Sequence, residues 1–226
     1  MHVEPARRLR NIAVALFEDS LDVFPAHAVG RHGIAGRRRQ LAAVRRKRLL
    51  DRIGIMIDSG KCGFPGGTRE VVEEAKWAEE AGFHSVWVGE SRLTVDALVP
   101  ITLIAAETKR IKVGSGVLPY RTRNAALIAL TFKTLETLSP GRMRLGLGAW
   151  WEPLATQTGL PNRKPLTAMR EVLTVVKGLL DGKTVTLDGE FVNVRDIRFD
   201  GLADDVPKPF DIPLYIGAVR PKMVAL

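Results

Sequence analysis

Five short apolar stretches begin near residues 53, 85, 111, 142 and 213, and most of them give way to a run with helical spacing of apolar residues. The first three intervals are 32, 26 and 31 residues, the length of one strand–helix unit. A chain that alternates in this way lays its strands parallel, because each helix returns the backbone to the end where the previous strand began. Punctuation within the units agrees. Thr68 is placed to cap a helix that stops at Gly82, a second helix spans about 96–108, Asn124 opens a third that runs to about Leu138, and a fourth covers about 167–181. The last interval, 71 residues, holds additional material: a loop over 149–166 and a hairpin of strands 184–187 and 190–193 turning on Asp188-Gly189. Pro213 takes the first position of the final strand, where a missing N–H is tolerated.

Two parallel architectures compete. A doubly wound sheet of the dinucleotide-binding kind wants glycines in GxGxxG spacing straight after its first strand, and residues 60–67, GKCGFPGG, lack that spacing and contain a proline. An α/β fold of the (β/α)8 TIM-barrel type fits better, carried through about five β-α units, with the hairpin as an insertion before strand five. Residues 52–226 form this partial barrel. Residues 1–51 are expected to be a basic, poorly ordered extension, with short amphipathic helices around Leu9, Ile12, Ala13 and Leu16 and around Leu41, Val44 and Leu49.

Charge separates the two parts. The chain's net +9 comes mainly from residues 1–50, with 11 Lys and Arg against 4 Asp and Glu, whereas residues 51–226 carry 23 against 21. A nearly neutral body without a basic stripe interleaved with aromatics argues against a nucleic-acid partner. No apolar run reaches the roughly 18 residues of a membrane span, and Glu18, Asp19 and Asp22 interrupt the only stretch resembling a secretory signal. Cys62 is the sole cysteine, which excludes an internal disulfide and a multi-thiolate metal site and points to a reducing, cytoplasmic setting. The four histidines are scattered, so no metal-ligand spacing or Ser/His/Asp order can be assembled.

In parallel β/α folds ligands bind at the carboxyl ends of the strands. Those ends read Asp58-Ser59, Gly89-Glu90-Ser91, GSGVLP over 114–119, GLGAWWE over 146–152 and GAVRP over 217–221. Glycine weakens a strand, so its recurrence at these ends signals close approach by a ligand or another backbone, although tight turning uses glycine too. Glu90 and Glu152 each follow an apolar strand and are candidate acid/base groups, with rim solubility as the competing explanation. Trp150 and Trp151 either wall a flat aromatic ligand or pack the barrel top. The turn before Pro221 offers free backbone N–H groups, with Arg220 and Lys222 nearby, to an anion such as phosphate. His84 lies at the opposite end and reads as structural.

Several segments together carry a family resemblance: EEAGFHSVWVGE over 79–90, IKVGSGVLP over 111–119 followed by Thr122-Arg-Asn124, LETLSPGR over 135–142, LGLG over 145–148, and IPLYIGA over 212–218 with Pro221-Lys-Met223. In this order and spacing, residues 52–226 resemble the luciferase-like flavin and deazaflavin oxidoreductases, in particular the branch similar to methylenetetrahydromethanopterin reductase. The resemblance implies a tricyclic cofactor, coenzyme F-420 (an 8-hydroxy-5-deazaflavin) or alternatively FMN. It implies a bulge with a non-prolyl cis peptide at Gly116-Val117 behind the ring, backbone amides of Ala218, Val219 and Arg220 at the cofactor phosphate, and Glu90 beside the cofactor. Asp58, Ser115, Gly148, Trp150 and Gly217, at the strand tips, complete the expected cofactor contacts. Three positions depart from the family pattern: Ala125 replaces a proline, Arg220 a glycine, and Ser91 the histidine of the sugar-phosphate dehydrogenases. The resemblance ends near the start of the fifth helix, before strands six to eight. The expected activity is hydride transfer between a deazaflavin and a small organic substrate, with no nucleic-acid or membrane partner and with room for a homodimer. The alternatives are an FMN-dependent monooxygenase using molecular oxygen, and a catalytically inert partial barrel that serves as an interaction fragment.

Overall fold

The computed structural model describes residues 13–16, 53–90, 93–161, 163–200, 209–219 and 221–226. Among the described residues there are nine strands: β1 (Ala13–Leu16), β2 (Ile53–Ile57), β3 (Ser85–Val88), β4 (Lys112–Ser115), β5 (Leu118–Pro119), β6 (Met143–Gly148), β7 (Val185–Asp188), β8 (Asn193–Ile197) and β9 (Leu214–Gly217). The helices are α1 (Gly67–Ala81), α2 (Leu98–Glu107), α3 (Ala125–Leu138), the single turn α4 (Leu154–Gln157), α5 (Pro165–Leu180) and the single turn α6 (Pro221–Val224), and a 3-10 turn covers Ser59–Gly63.

β2, β3, β4 and β6 lie side by side and parallel, and both β5 and β9 add to β6 in parallel. β4 and β5 are one strand track interrupted at Gly116-Val117. The five parallel tracks therefore follow chain order, which is the winding of a barrel. A doubly wound sheet reverses direction partway, so that alternative is excluded.

The four long helices each bury an apolar face in a core shared with the strands. Val71, Ala75 and Ala78 of α1, Ile101 and Ile104 of α2, Ile128 and Phe132 of α3, and Val172, Val176 and Leu179 of α5 are buried with Ile55, Val86, Val113 and Leu147 of the strands. Within the sheet's concavity one large ring fills a layer. An added Cβ at Gly54 would lie 2.7 Å from the Trp87 indole nitrogen, and one at Gly114 would lie 2.5 Å from its six-membered ring, so both glycines make room for Trp87. The Trp87 Nε1 donates to Ser85 Oγ at 2.9 Å, and Tyr215 meets the ring edge-on at 5.0 Å.

The amino ends of the strands are clipped by charged side chains. The Glu79 carboxylate, at the end of α1, accepts from the N–H groups of Lys109, Arg110 and Ile111 just before β4. Glu136 of α3 accepts from Gly141 and Met143 at the start of β6. Arg142 is buried beneath the barrel and donates to the carbonyls of Ala105 and Ile111 and to the hydroxyls of Thr108 and Ser139, joining α2, β4 and α3.

Three sequence expectations are corrected. Residues 13–16, expected within a helix, are strand β1, antiparallel to β2 from Ala13↔Met56 to Leu16↔Ile53. As the first strand of an open sheet, β2 has a free edge whose backbone groups this pairing satisfies. The other leader expectations, including its disorder, lie outside the described residues. Helix α1 is capped by Gly66 at φ +84°, not by Thr68, because the chain enters it through a left-handed turn that glycine adopts freely. The hairpin's second strand begins at Asn193, three residues late, because the Glu171 carboxylate gathers the N–H groups of Glu190, Phe191 and Val192 into a wider turn.

Candidate active site at the carboxyl ends of the strands

The pairing register aligns the strand tips. Ile57 lies beside Val88, and Val88 beside Ser115; further along, Pro119 lies beside Gly148, and Gly148 beside Gly217. Single hydrogen bonds stitch the row beyond the regular ladder: Gly116 N–H to Val88 O at 2.9 Å, Tyr120 N–H to Gly148 O at 3.0 Å, and the Ser59 hydroxyl to Gly89 O at 2.6 Å. Asp58, Glu90, Ser115, Gly116, Val117, Gly148 and Gly217 are thus brought to one end of the sheet. The Gly116-Val117 peptide is cis.

Val117 explains much of the glycine signal. A Cβ on Gly148 would lie 2.3 Å from Val117 Cγ2, one on Gly217 would lie 3.2 Å from the same methyl, and one on Gly146 would lie 2.1 Å from the Ser115 carbonyl oxygen. The glycines of β6 and β9 therefore receive the interrupted track and the side chain it turns inward, which is the backbone-approach half of the sequence argument. Ser115, expected to touch a cofactor, is fully buried instead. Its hydroxyl donates to Gly146 O at 2.9 Å and accepts from Gly146 N–H at 2.8 Å, bridging β4 to β6 where the ladder is broken.

Glu90 is held more tightly than a free acid/base group. Arg123 grips both of its oxygens, Nη1 to Oε1 at 3.0 Å and Nη2 to Oε2 at 2.8 Å, and the Ala97 N–H reaches Oε2 at 3.2 Å. The Glu90 side chain is only 10% exposed. Arg123 also pairs with Asp96 at 2.8 Å. Burial by itself would loosen the guanidinium proton, but the two carboxylates outweigh it and hold the proton more firmly than usual. The clasp ties the loop after β3 to the loop after β5. It borders a cavity of about 520 Å³ together with Leu93, Thr94, Val95, Thr122 and Trp150. Arg123 stood in the sequence only as part of a motif between a strand and the Asn124 cap; its partnership with Glu90, 33 residues away, had no local signal.

The remaining candidates are dispersed. Glu152 is exposed, and its carboxylate caps the turn of α4 through the Thr156 N–H and hydroxyl, which accounts for it as a local cap. Asp58 is likewise exposed and accepts from the Gly60 N–H at the start of the 3-10 turn. Trp150 is half-buried at the Glu90 cavity, while Trp151 is largely exposed. Gly217 leads into Ala218 and Val219, both exposed, and a helical turn starts at Pro221 as expected. Arg220 and Ser91 lie outside the described residues. Among the described residues, no cluster of His, Cys, Asp and Glu is arranged to hold a metal ion, and no helix is long and apolar enough to cross a membrane.

Comparison with known proteins agrees with this geometry. The family model for luciferase-like monooxygenase matches residues 49–226. The 5,10-methylenetetrahydromethanopterin reductase of Methanolobus tindarius is 36% identical over 157 residues, covering 70% of this chain and 46% of that protein. The F-420-dependent glucose-6-phosphate dehydrogenase of Kineococcus radiotolerans is 32% identical over 164 residues, covering 67% and 47%. Among solved structures, the coenzyme F-420-dependent tetrahydromethanopterin reductase of Methanopyrus kandleri superposes with a TM-score of 0.64 at 26% identity, over 76% of this chain and 51% of that one. The chain spans about half the length of the relatives it matches.

Proposed function

This chain belongs to the luciferase-like monooxygenase family, and from that premise we propose that its strand tips bind coenzyme F-420 and serve hydride transfer to or from a small organic molecule. The observation that carries the reading is the alignment of the five strand ends at one end of the sheet, with Val117 seated against the tips of β6 and β9. A planar tricyclic ring fits there because the backing surface is poor in Cβ atoms. Gly89 faces the Gly116 carbonyl, 3.3 Å from where its Cβ would stand, and Val117 offers a branched apolar face seated on Gly148 and Gly217. When bound, a deazaflavin supplies the hydride chemistry. The chain's own part is orientation. Val117 and the flanking glycines back the ring, the turn at Ala218 and Val219 offers backbone N–H groups to an anion, and Trp150 excludes water beside Glu90. Glu90, its oxygens already gripped by Arg123 and the Ala97 N–H, acts as a fixed acceptor that orients a hydroxyl or N–H of its ligand.

The names of the relatives support F-420 over FMN, since the reductase structure and the sugar-phosphate dehydrogenase are both named for F-420. Titration of the full chain with F-420, read as quenched cofactor fluorescence and a raised Tm, tests the reading. Saturable binding of F-420 in preference to FMN is the expected result. Preference for FMN moves the assignment to the monooxygenase alternative, and no response to either leaves the inert partial barrel. The outward faces of α2 and α3 leave Val99, Leu103, Leu127 and Leu130 exposed, which supports a homodimer through these helices.

A further inference from the structure

A second cavity, of about 470 Å³, lies on the other side of the Thr122-Arg123 segment, beneath the insertion that precedes the final strand. Its wall includes Tyr120, Arg121, Asn124, Leu160, Phe191 and Asn193. The proposed redox function makes no use of it.

Two polar groups in this wall are incompletely used. The Tyr120 side chain is 1% exposed, and its hydroxyl has no hydrogen-bond partner among the described residues. A buried hydroxyl left unpaired is costly, and because this one is closed off in the unliganded chain, a small shift of the cavity wall that admits a ligand atom completes the network. Arg121 packs its guanidinium 5.0 Å from the centre of the Phe191 ring and donates through Nη1 to the Pro161 carbonyl. Those contacts fix the group and leave most of its five N–H donors to spare, and no carboxylate among the described residues pairs with it. Nearby charges are already spent. Arg123 is committed to Glu90 and Asp96, and the Glu171 carboxylate on the hairpin turn is met by three backbone N–H groups. The 14-residue helix α3 starts at this wall, and its positive end adds to the attraction for an anion. Leu160, Phe191 and Val192 make the rest of the lining apolar.

We propose that this cavity is a binding site for a small organic oxyanion, a carboxylate or phosphate ester with an apolar body, gripped by the Arg121 fork and the Tyr120 hydroxyl. The site is separate from the strand-tip cofactor site, so the proposal stands whether or not F-420 binds. Burial raises the Tyr120 pKa despite the pull of Arg121, so at neutral pH the hydroxyl remains a donor.

The test uses the full chain without cofactor, titrated with benzoate, phenyl phosphate and uncharged benzamide while thermal stability and tyrosine fluorescence are followed. Saturable stabilisation by at least one anion and none by benzamide is expected, and the stronger of the two anions identifies the head group. Arg121→Met should weaken binding at least about tenfold, with Arg121→Lys intermediate because it keeps the charge and loses the fork. Tyr120→Phe should weaken binding while raising the urea midpoint of the unliganded chain, because it removes an unpaired polar group from the interior. This opposed pair of effects would not arise from a purely structural tyrosine. Binding of benzamide equal to benzoate, binding unchanged in Arg121→Lys and Tyr120→Phe, or a lowered midpoint in unliganded Tyr120→Phe would each overturn the proposal.

Discussion

Replacing Gly146 by alanine tests how the barrel accommodates its interrupted strand. The new methyl would stand 2.1 Å from the Ser115 carbonyl oxygen and 3.1 Å from a Val117 methyl, where ordinary contact begins near 3.4 Å. Relief needs β4 and β6 to part by more than 1 Å, since the nearer obstacle is backbone and cannot rotate away. That movement breaks both hydrogen bonds of the Ser115 hydroxyl to Gly146, at about 1 kcal/mol each. Overpacking adds about 1–3 kcal/mol. The total, about 3–5 kcal/mol, is a large fraction of the roughly 5–15 kcal/mol that keeps a domain folded. The assay is urea unfolding followed by tryptophan fluorescence, with the midpoint displaced and the slope retained. Gly82→Ala is the control: its φ of +87° strains any side chain, but nothing lies within 4 Å, so its cost stays near 1 kcal/mol. A Gly146→Ala penalty no larger than the control would refute the close-approach argument. Gly148→Ala sharpens the test because its Cβ meets only the Val117 side chain. Val117→Ala should therefore restore much of the stability lost in Gly148→Ala and little of that lost in Gly146→Ala, a coupling that a double-mutant cycle reads directly.

Other outcomes follow from the same geometry. Arg123→Met strands the Glu90 carboxylate at 10% exposure, so the chain should lose about 2–4 kcal/mol, and adding Glu90→Gln should recover part of it in the same urea assay. Phe132→Ala, at a fully buried position between α3 and the sheet, should cost about 3–5 kcal/mol. The carboxyls of Glu79 and Glu171 are pushed up by partial burial, but each is carried below the usual carboxylate range by three backbone N–H donors. Depressed folded-state values mean that their stabilisation is present at neutral pH and disappears as pH falls below about 4.3, and Glu79→Gln should flatten the acid limb of a stability–pH profile. Lysines in place of Leu127 and Leu130 should convert a dimer to a monomer in light scattering; an unchanged mass would remove the α2–α3 interface.

Much of the architecture was legible because it rests on local regularities. Period and punctuation place the five parallel tracks within a residue of their observed starts, and Gly82 and Asn124 end and begin helices as their chemistry dictates. Elements fixed by a distant partner were misplaced. Ala13–Leu16 has apolar residues at spacings either element accepts, and only the free edge of β2, some forty residues on, decides for a strand. The hairpin turn was displaced by Glu171, which lies on a helix and carries no mark of that duty in the sequence.

The site shows the same division at higher stakes. Glycines concentrated at strand ends announce that something comes close, but glycine is silent about what. At Gly146, Gly148 and Gly217 the neighbour is the chain itself, through Ser115 and Val117. That does not weaken the ligand reading; it relocates it. By letting Val117 sink into the β6–β9 surface, the glycines seat one small branched side chain against the tips of these two strands, where a Cβ on Gly148 or Gly217 would have crowded it. Glu90 follows the same logic in electrostatic form. Its carboxylate lies at a strand end as the sequence suggests, yet its orientation comes from Arg123 on the next loop. The chemistry proposed for this end of the barrel therefore rests on residues fixed by distant partners: Gly148 with Val117 and Glu90 with Arg123 lie about one strand–helix unit apart along the chain, and Gly217 joins Val117 from beyond the insertion.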